Sequence, residues 1–302
     1  MSWAIETHGL TRYFGPICAV DQLDLKVPEG CVYGLLGLNG SGKTSTIRML
    51  LGLLSATRGS STVLGDDSRD LSKHVRDRIG YVPEGHLLYK WMTICEIASF
   101  QSRFFSRWDE DYFSEMMRHF KLDLKRKIRK LSAGQRAQVS LALALAIQPD
   151  LLIMDDPTMG VDPVVRRHFL ESMIRLIAET GRTVLFSSHV LSDVERVADR
   201  IGIMQAGVLT VDCTLEEFKQ RLRQVRVRFE TEVPSLDSVE GMVSARIEKS
   251  EAILTIVNYD GRSEEALRSA GAVDLELLES ALEELFIDYN IQGTTDFTAL
   301  TR

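Results

Sequence analysis

Residues 32–54 read VYGLLGLNGSGKTSTIRMLLGLL. The run 32-VYGLLG-37 is short, apolar and of buried-strand type, and 45-STIRMLLGLL-54 has the look of a helix. Between them, 37-GLNGSGKT-44 fits G-x-x-x-x-G-K-[ST] in the strand-to-helix context that pattern needs. Glycines at 37, 40 and 42 let the backbone curl so that successive N–H groups point inward. The helix N-terminus adds positive potential toward a phosphate. Lys43 then reaches the terminal phosphates, and the Thr44 hydroxyl offers a ligand to Mg²⁺.

Other apolar runs alternate with helical segments. Strands are predicted at 20–27, 79–83, 151–155, 183–188 and 201–205. Helices are predicted over 94–105, 109–120, 164–180 and 190–199. This alternation implies an α/β chain with a mainly parallel core sheet. The N-terminal strands add an antiparallel β edge, and the stretch around 85–148 reads as an inserted α-helical subdomain. Composition shifts near 222. Strands at 225–233 and 252–257 and helices at 263–271 and 279–290 make 223–302 a small α+β accessory domain. A chain of 302 residues accommodates two such domains.

Hydrophobic residues make up 44% and charged residues 26%, with a formal net charge of -7. That balance argues against a general nucleic-acid binder. Four scattered cysteines without a CxxC pair suggest reduced thiols rather than a disulfide frame or zinc site. The N-terminus MSWAIETHGL lacks the plan of a signal peptide, and no apolar window is long enough to span a bilayer.

The segment 151-LLIMDDPTMG-160 sets two carboxylates side by side at the end of a buried strand. Like charges there repel and carry a desolvation cost. A nearby Mg²⁺ and Lys43 relieve it, so Asp155 is expected to orient the metal shell of a P-loop NTPase and Asp156 to act on the attacking water. The plainer alternative is a solvated turn that ends the strand.

The segment 131-LSAGQR-136 resembles the signature motif of the ATP-binding cassette (ABC) ATPases. Further elements follow in that family's order, covering about residues 3–220. Asp162 in 160-GVDP-163 resembles the D-loop, His189 in 186-FSSHV-190 the switch histidine, and 79–84 the Q-loop region. In 10-LTRYFG-15, Phe14 resembles the base-stacking aromatic, with Tyr13 as runner-up. The resemblance implies an ABC cassette over 1–222 that binds ATP and Mg²⁺. It implies ATP contacts at Phe14, Val20, Gly37, Leu38, Asn39, Gly40, Ser41, Gly42, Lys43, Thr44 and Ser45. From an opposite subunit it implies contacts at Ser132, Gly134, Gln135 and Asp162. It gives catalytic roles to Asp156, His189 and Glu84, and metal roles to Thr44, Glu84 and Asp155. Ser132-x-x-Gln135 also reads as a capping box before the apolar 137–147.

The resemblance implies that two such chains, as a homodimer or heterodimer, hold two ATP head to tail. It further implies that they drive an integral-membrane permease from the cytoplasmic side of the membrane. Three departures from the usual pattern stand out: Asp156 for Glu, Glu84 for Gln, and Ala133 for the middle Gly. Glu84 and the segments 102–113 and ELFIDY are similar to a subgroup with ABC-2 type exporter permeases, including relatives associated with peptide-antibiotic response. Asp156 is a methylene short, and a misplacement of that size costs about a hundredfold in rate. Two readings stay open: a hydrolysing motor slowed at Asp156, or an ATP-gated switch subunit of a heteromeric complex that hydrolyses little. Leu88, Tyr89, Trp91 and Met92 are candidate permease contacts. The basic run 121-KLDLKRKIRK-130 reads first as a solvated face, with an anionic lipid or RNA site as the alternative.

Overall fold

The computed structural model describes residues 2–162, 165–167, 169–170, 181–236 and 239–291. The chain divides into two compact units, Met1–Asp212 and Cys213–Arg302. The division falls ahead of the composition shift at 222 because the helix Leu215–Arg221 is grouped with the second unit. The helix expected over 164–180 lies mostly outside the described residues, although 165–167 and 169–170 are helical.

In chain order the first unit holds β1 (Trp3–Phe14), β2 (Ile17–Leu23), β3 (Lys26–Pro28), β4 (Val32–Leu36), α1 (Lys43–Leu50), β5 (Arg58–Val63) and β6 (Asp66–Asp67). There follow α2 (Lys73–Arg76), β7 (Ile79–Val82), α3 (Ile94–Ser102), α4 (Glu110–His119), α5 (Ala133–Ala146), β8 (Leu151–Met154), β9 (Thr183–Ser188), β10 (Arg200–Gln205) and β11 (Val208–Thr214). β11 ends just inside the second unit.

The core sheet runs β11-β10-β4-β9-β8-β7. The pairings β10–β4, β4–β9, β9–β8 and β8–β7 are all parallel. β4, β8 and β9 are buried at every position, as strands covered on both faces must be. Leu36 registers with Ser188, Phe186 with Met154, and Met154 with Val82. The carboxyl ends of these strands therefore align at one edge, where ligands of such sheets bind. The antiparallel strands β1, β2, β3, β5 and β6 form a sheet of their own. Their inner residues (Ile5, Leu10, Val20, Leu23, Val63) share one core with Tyr33, Ile47 and Ile153.

Helices α3, α4 and α5 enclose a separate core of Ile94, Ile97, Phe113, Met117, Ile128 and Val139. Met92 is buried in that core too, so it packs inward and offers no exposed contact. α5 is buried at every position from Ala137 to Ala146, which accounts for a helix apolar all round.

In the second unit, β12 (Leu222–Phe229), β13 (Met242–Glu248), β14 (Glu251–Val257) and β15 (Ala272–Leu278) form a sheet ordered β13-β14-β12-β15. Its three pairings are all antiparallel. Val225, Val227, Phe229, Leu254 and Ile256 on one face pack with Leu267 of the helix Gly261–Ser269. Asp288, on the helix Leu282–Ile291, is buried. It accepts hydrogen bonds from Gln224 at 2.9 Å, from Arg246 at 3.0 Å and from Thr255. A buried carboxylate so bonded is a satisfied structural charge.

Candidate nucleotide site

Between β4 and α1 the chain turns through glycines that no other residue replaces cheaply. Gly37 has φ +152, and a Cβ there would lie 2.4 Å from Ser41 Oγ and 2.5 Å from the Met204 carbonyl oxygen. Gly42 has φ +105, and its Cβ would lie 2.4 Å from the Ala19 carbonyl oxygen. Gly42 is also the N-cap of α1, so no side chain caps the first turn. The first N–H groups of α1 are thus left for a ligand.

The Lys43 ammonium is folded back onto this loop and donates to the carbonyls of Gly37 at 2.7 Å and Leu38 at 3.1 Å. Burial holds the Lys43 pKa below its ordinary value, while Asp156, Asp155 and Glu84 pull it back up. A cation so placed gains from an added polyanion.

Asp155 follows β8, and its N–H still donates to Val82 at 2.9 Å. Its Oδ1 accepts from Thr44 Oγ1 at 3.1 Å and Ser187 Oγ at 2.7 Å. Ser187 Oγ in turn accepts from the Asp156 N–H at 2.9 Å. Asp156 has φ +43, a left-handed backbone. Its Oδ2 lies 2.5 Å from His189 Nδ1, a charge-assisted contact. Burial pushes the Asp156 carboxyl above its usual range and Asp155 adds to the rise, whereas His189 and Lys43 oppose it.

Three polar atoms around the cleft are buried without a partner: Ser41 Oγ, Asp155 Oδ2 and Asp156 Oδ1. Orphaned buried oxygens are rare and point to a missing partner. A hydrated Mg²⁺ beside Thr44 and Asp155 fits two of these, and a phosphate fits the hydroxyl. Among the described residues no cluster of three His, Cys, Asp or Glu holds a metal alone. That suits an ion bound through few protein ligands and substrate phosphates.

The cleft has a volume of about 410 Å³ and is lined by Phe14, Ala19, Asn39 to Ser45, Glu84, Asp155, Asp156 and Ser187. Phe14 is on its wall and Tyr13 is not; the Arg12 guanidinium lies 4.6 Å from the Phe14 ring centroid. Val20 is buried in the core, 3.3 Å from where a Gly42 Cβ would sit, and Ala19 takes the wall position. Gly37 and Leu38 supply carbonyls behind the loop rather than wall surface.

Ser132, Gly134, Gln135 and Asp162 do not line the cleft. Ser132 caps α5 in a reciprocal box with Gln135, both bonds at 3.1 Å. The Ser132 hydroxyl accepts there, so its proton is left to donate. Gly134 is packed against Val165, whose Cγ1 would lie 2.8 Å from an added Cβ. Asp162 accepts from the Val165 N–H at 3.0 Å. Ser187 and Arg12 are the neighbours that sequence reasoning missed. Ser187 is legible only once Met154 is registered against Phe186, and Arg12 carries no signal beyond its place two residues before Phe14.

A parallel sheet with a glycine-rich phosphate loop at one strand end and an acidic pair at another defines a P-loop nucleotide-binding cassette. Residues 20–159 match the family model described as ABC transporter. The chain is 33% identical over 289 residues to the uncharacterized ABC transporter ATP-binding protein YhaQ of Bacillus subtilis (strain 168), covering 92% of this chain and 96% of that protein. It is 34% identical over 226 residues to the bacitracin transport ATP-binding protein BcrA of Bacillus licheniformis, with 74% of each chain covered. Among solved structures, an ATP binding subunit of an ABC transporter matches with a TM-score of 0.65 and 27% identity, over 71% of this chain and 91% of that one. The chain belongs to the ABC transporter family, as one of its ATP-binding proteins.

Proposed function

We propose that this chain is the ATP-hydrolysing motor subunit of an ABC exporter, acting on a separate membrane permease from the cytoplasmic side. The observation that carries the reading is the hydrogen-bonded line Thr44–Asp155–Ser187–Asp156–His189, which joins the start of α1 to the ends of β8 and β9. Lys43 and the N-terminus of α1 bind the terminal phosphates. Thr44 and Asp155 hold the Mg²⁺ shell, with Glu84 on the cleft wall as a further oxygen. The ion, when bound, offsets the charge that gathers on the phosphates. Asp156 polarises the water that attacks the γ-phosphorus as the bond to the ADP oxygen breaks. His189 holds that carboxylate in place. Phe14 stacks on adenine.

A non-hydrolysing switch is not favoured, because the Asp156–His189 pair is formed at 2.5 Å. Since Ser132, Gly134, Gln135 and Asp162 lie outside the cleft wall, a second cassette completes each site. That second cassette is a further copy of this chain or a homologue. No helix of the described residues is long and apolar enough to cross a membrane, so passage of a substrate needs the permease. A groove of about 430 Å³ lined by Gly85–Lys90, Ile128, Arg129 and Arg136 is its docking place. The bacitracin transport relative supports a role in transport, and export through an ABC-2 type partner is inferred from Glu84 and the segments 102–113 and ELFIDY.

Equilibrium ATP binding with Mg²⁺-dependent turnover tests the reading, with Lys43→Ala as control. Wild type should bind and turn over ATP, and the variant should do neither. Equal binding by both would overturn it.

A further inference from the structure

One part of the surface has no role in nucleotide chemistry. Four large aromatic side chains form a row: Trp91 to Tyr89 at 5.9 Å between ring centroids, Tyr89 to Phe100 at 5.8 Å, and Phe100 to Phe104 at 5.1 Å. All are solvent-accessible: Trp91 66%, Tyr89 51%, Phe100 41% and Phe104 57%. Exposed apolar patches of this kind mark an interaction site. The basic run 121–130 is tied to the same segment through its backbone. Arg129 N–H donates to Lys90 at 3.1 Å, and Ile128 N–H to Met92 at 2.9 Å. The Ile94 and Cys95 N–H groups donate to Arg126 at 3.1 Å and Leu124 at 2.9 Å. Lys121, Lys125, Arg126, Lys127, Arg129 and Lys130 are all exposed. Among the described residues none of the six is in an ion pair. Six unpaired cations in a chain of net charge -7 are a local concentration against the overall balance.

We propose that the exposed aromatic row and the basic run beside it form a docking surface for an anionic phospholipid bilayer, continuous with the permease groove, whose wall includes Tyr89 and Arg129. Amphipathic rings settle at the headgroup level, and neighbouring Lys and Arg pair with lipid phosphates. Charge complementarity selects an anionic surface. The ring geometry argues against nucleic acid. Phe100 meets Tyr89 at 90° and Phe104 at 67°, so these three rings pack edge to face, with Trp91 tilted at 45° to Tyr89, whereas a base-stacking platform presents open faces.

Sedimentation of the full chain with vesicles tests this. The probes are phosphatidylcholine alone and phosphatidylcholine containing phosphatidylglycerol, each at low and high salt. Wild type should pellet with the anionic vesicles only, and less at high salt. The Lys125→Gln, Arg126→Gln, Lys127→Gln triple variant should lose binding on the order of a hundredfold. Phe104→Ser should lose about tenfold. Both variants should bind ATP like wild type, showing an intact fold. Equal pelleting with uncharged vesicles, or a triple variant that binds like wild type, would overturn the proposal. So would tighter retention on single-stranded RNA, or on an acidic peptide, than on anionic vesicles.

Discussion

Asp156 is where this cassette departs most from its resemblance, and its backbone supplies a reason. A non-glycine residue at φ +43 is costly, but Asp and Asn tolerate it better than longer side chains do. In that conformation the short carboxylate meets His189 at 2.5 Å. Glutamate would carry the wrong backbone preference and a methylene too many. Asp156→Glu is therefore expected to lower ATP turnover, measured at saturating ATP, rather than raise it. Asp156 also gives a pH signature. Its folded-state pKa is raised, so as pH climbs past the usual carboxylate range the unfolded chain loses this proton first and stability falls. Asn does not titrate, so the melting-temperature advantage of Asp156→Asn over wild type should grow from acid to neutral pH. His86 has the opposite sign. Burial depresses its pKa from 6.5 to about 4, aided by Arg136 and opposed by the Pro157 carbonyl. Its stability contribution is present above pH 6.5 and is lost as pH falls toward about 4, a change of ~3 kcal/mol. Denaturant titrations of wild type and His86→Gln across that range should show the slope flattened in the variant.

At the scale of elements, the capping box on α5 serves the fold before any ligand. Ser132→Ala should cost about 1 kcal/mol of stability by denaturant unfolding, besides its effect on ATP chemistry. Gly42→Ala should do more local harm, since its Cβ would meet the Ala19 carbonyl at 2.4 Å in a backbone of φ +105. The expected result is lost ATP binding with the rest of the fold retained. The buried strands β4, β8 and β9 were legible in the sequence because they are short apolar runs. So were α3 and α4, through helical spacing. β1 escaped notice because its alternation breaks at Gly9, where the register with β5 shifts between His8 and Thr11. β5, RGSSTV, has too few apolar residues to stand out. The loop glycines, Lys43 and the acidic pair were readable since their spacing is fixed within one segment. Ser187 was not, because its role depends on the register of separate strands.

For the whole molecule, one chain carries a phosphate cradle and, elsewhere, a capped helix end whose Ser132 proton is free to donate. ATP should therefore join two chains. Asp156→Asn, which retains Lys43 and Thr44, is expected to dimerise with ATP in sedimentation velocity, while Lys43→Ala stays monomeric. The second unit adds a folded sheet anchored by Asp288. The central claim is that Asp156 is the working carboxylate of an ATPase. The measurement that bears on it most directly is steady-state ATP turnover with Mg²⁺ for wild type and Asp156→Asn. Wild type should exceed the variant by about a hundredfold or more. Equal rates in two proteins that bind ATP equally well would contradict the claim and leave a nucleotide-gated switch.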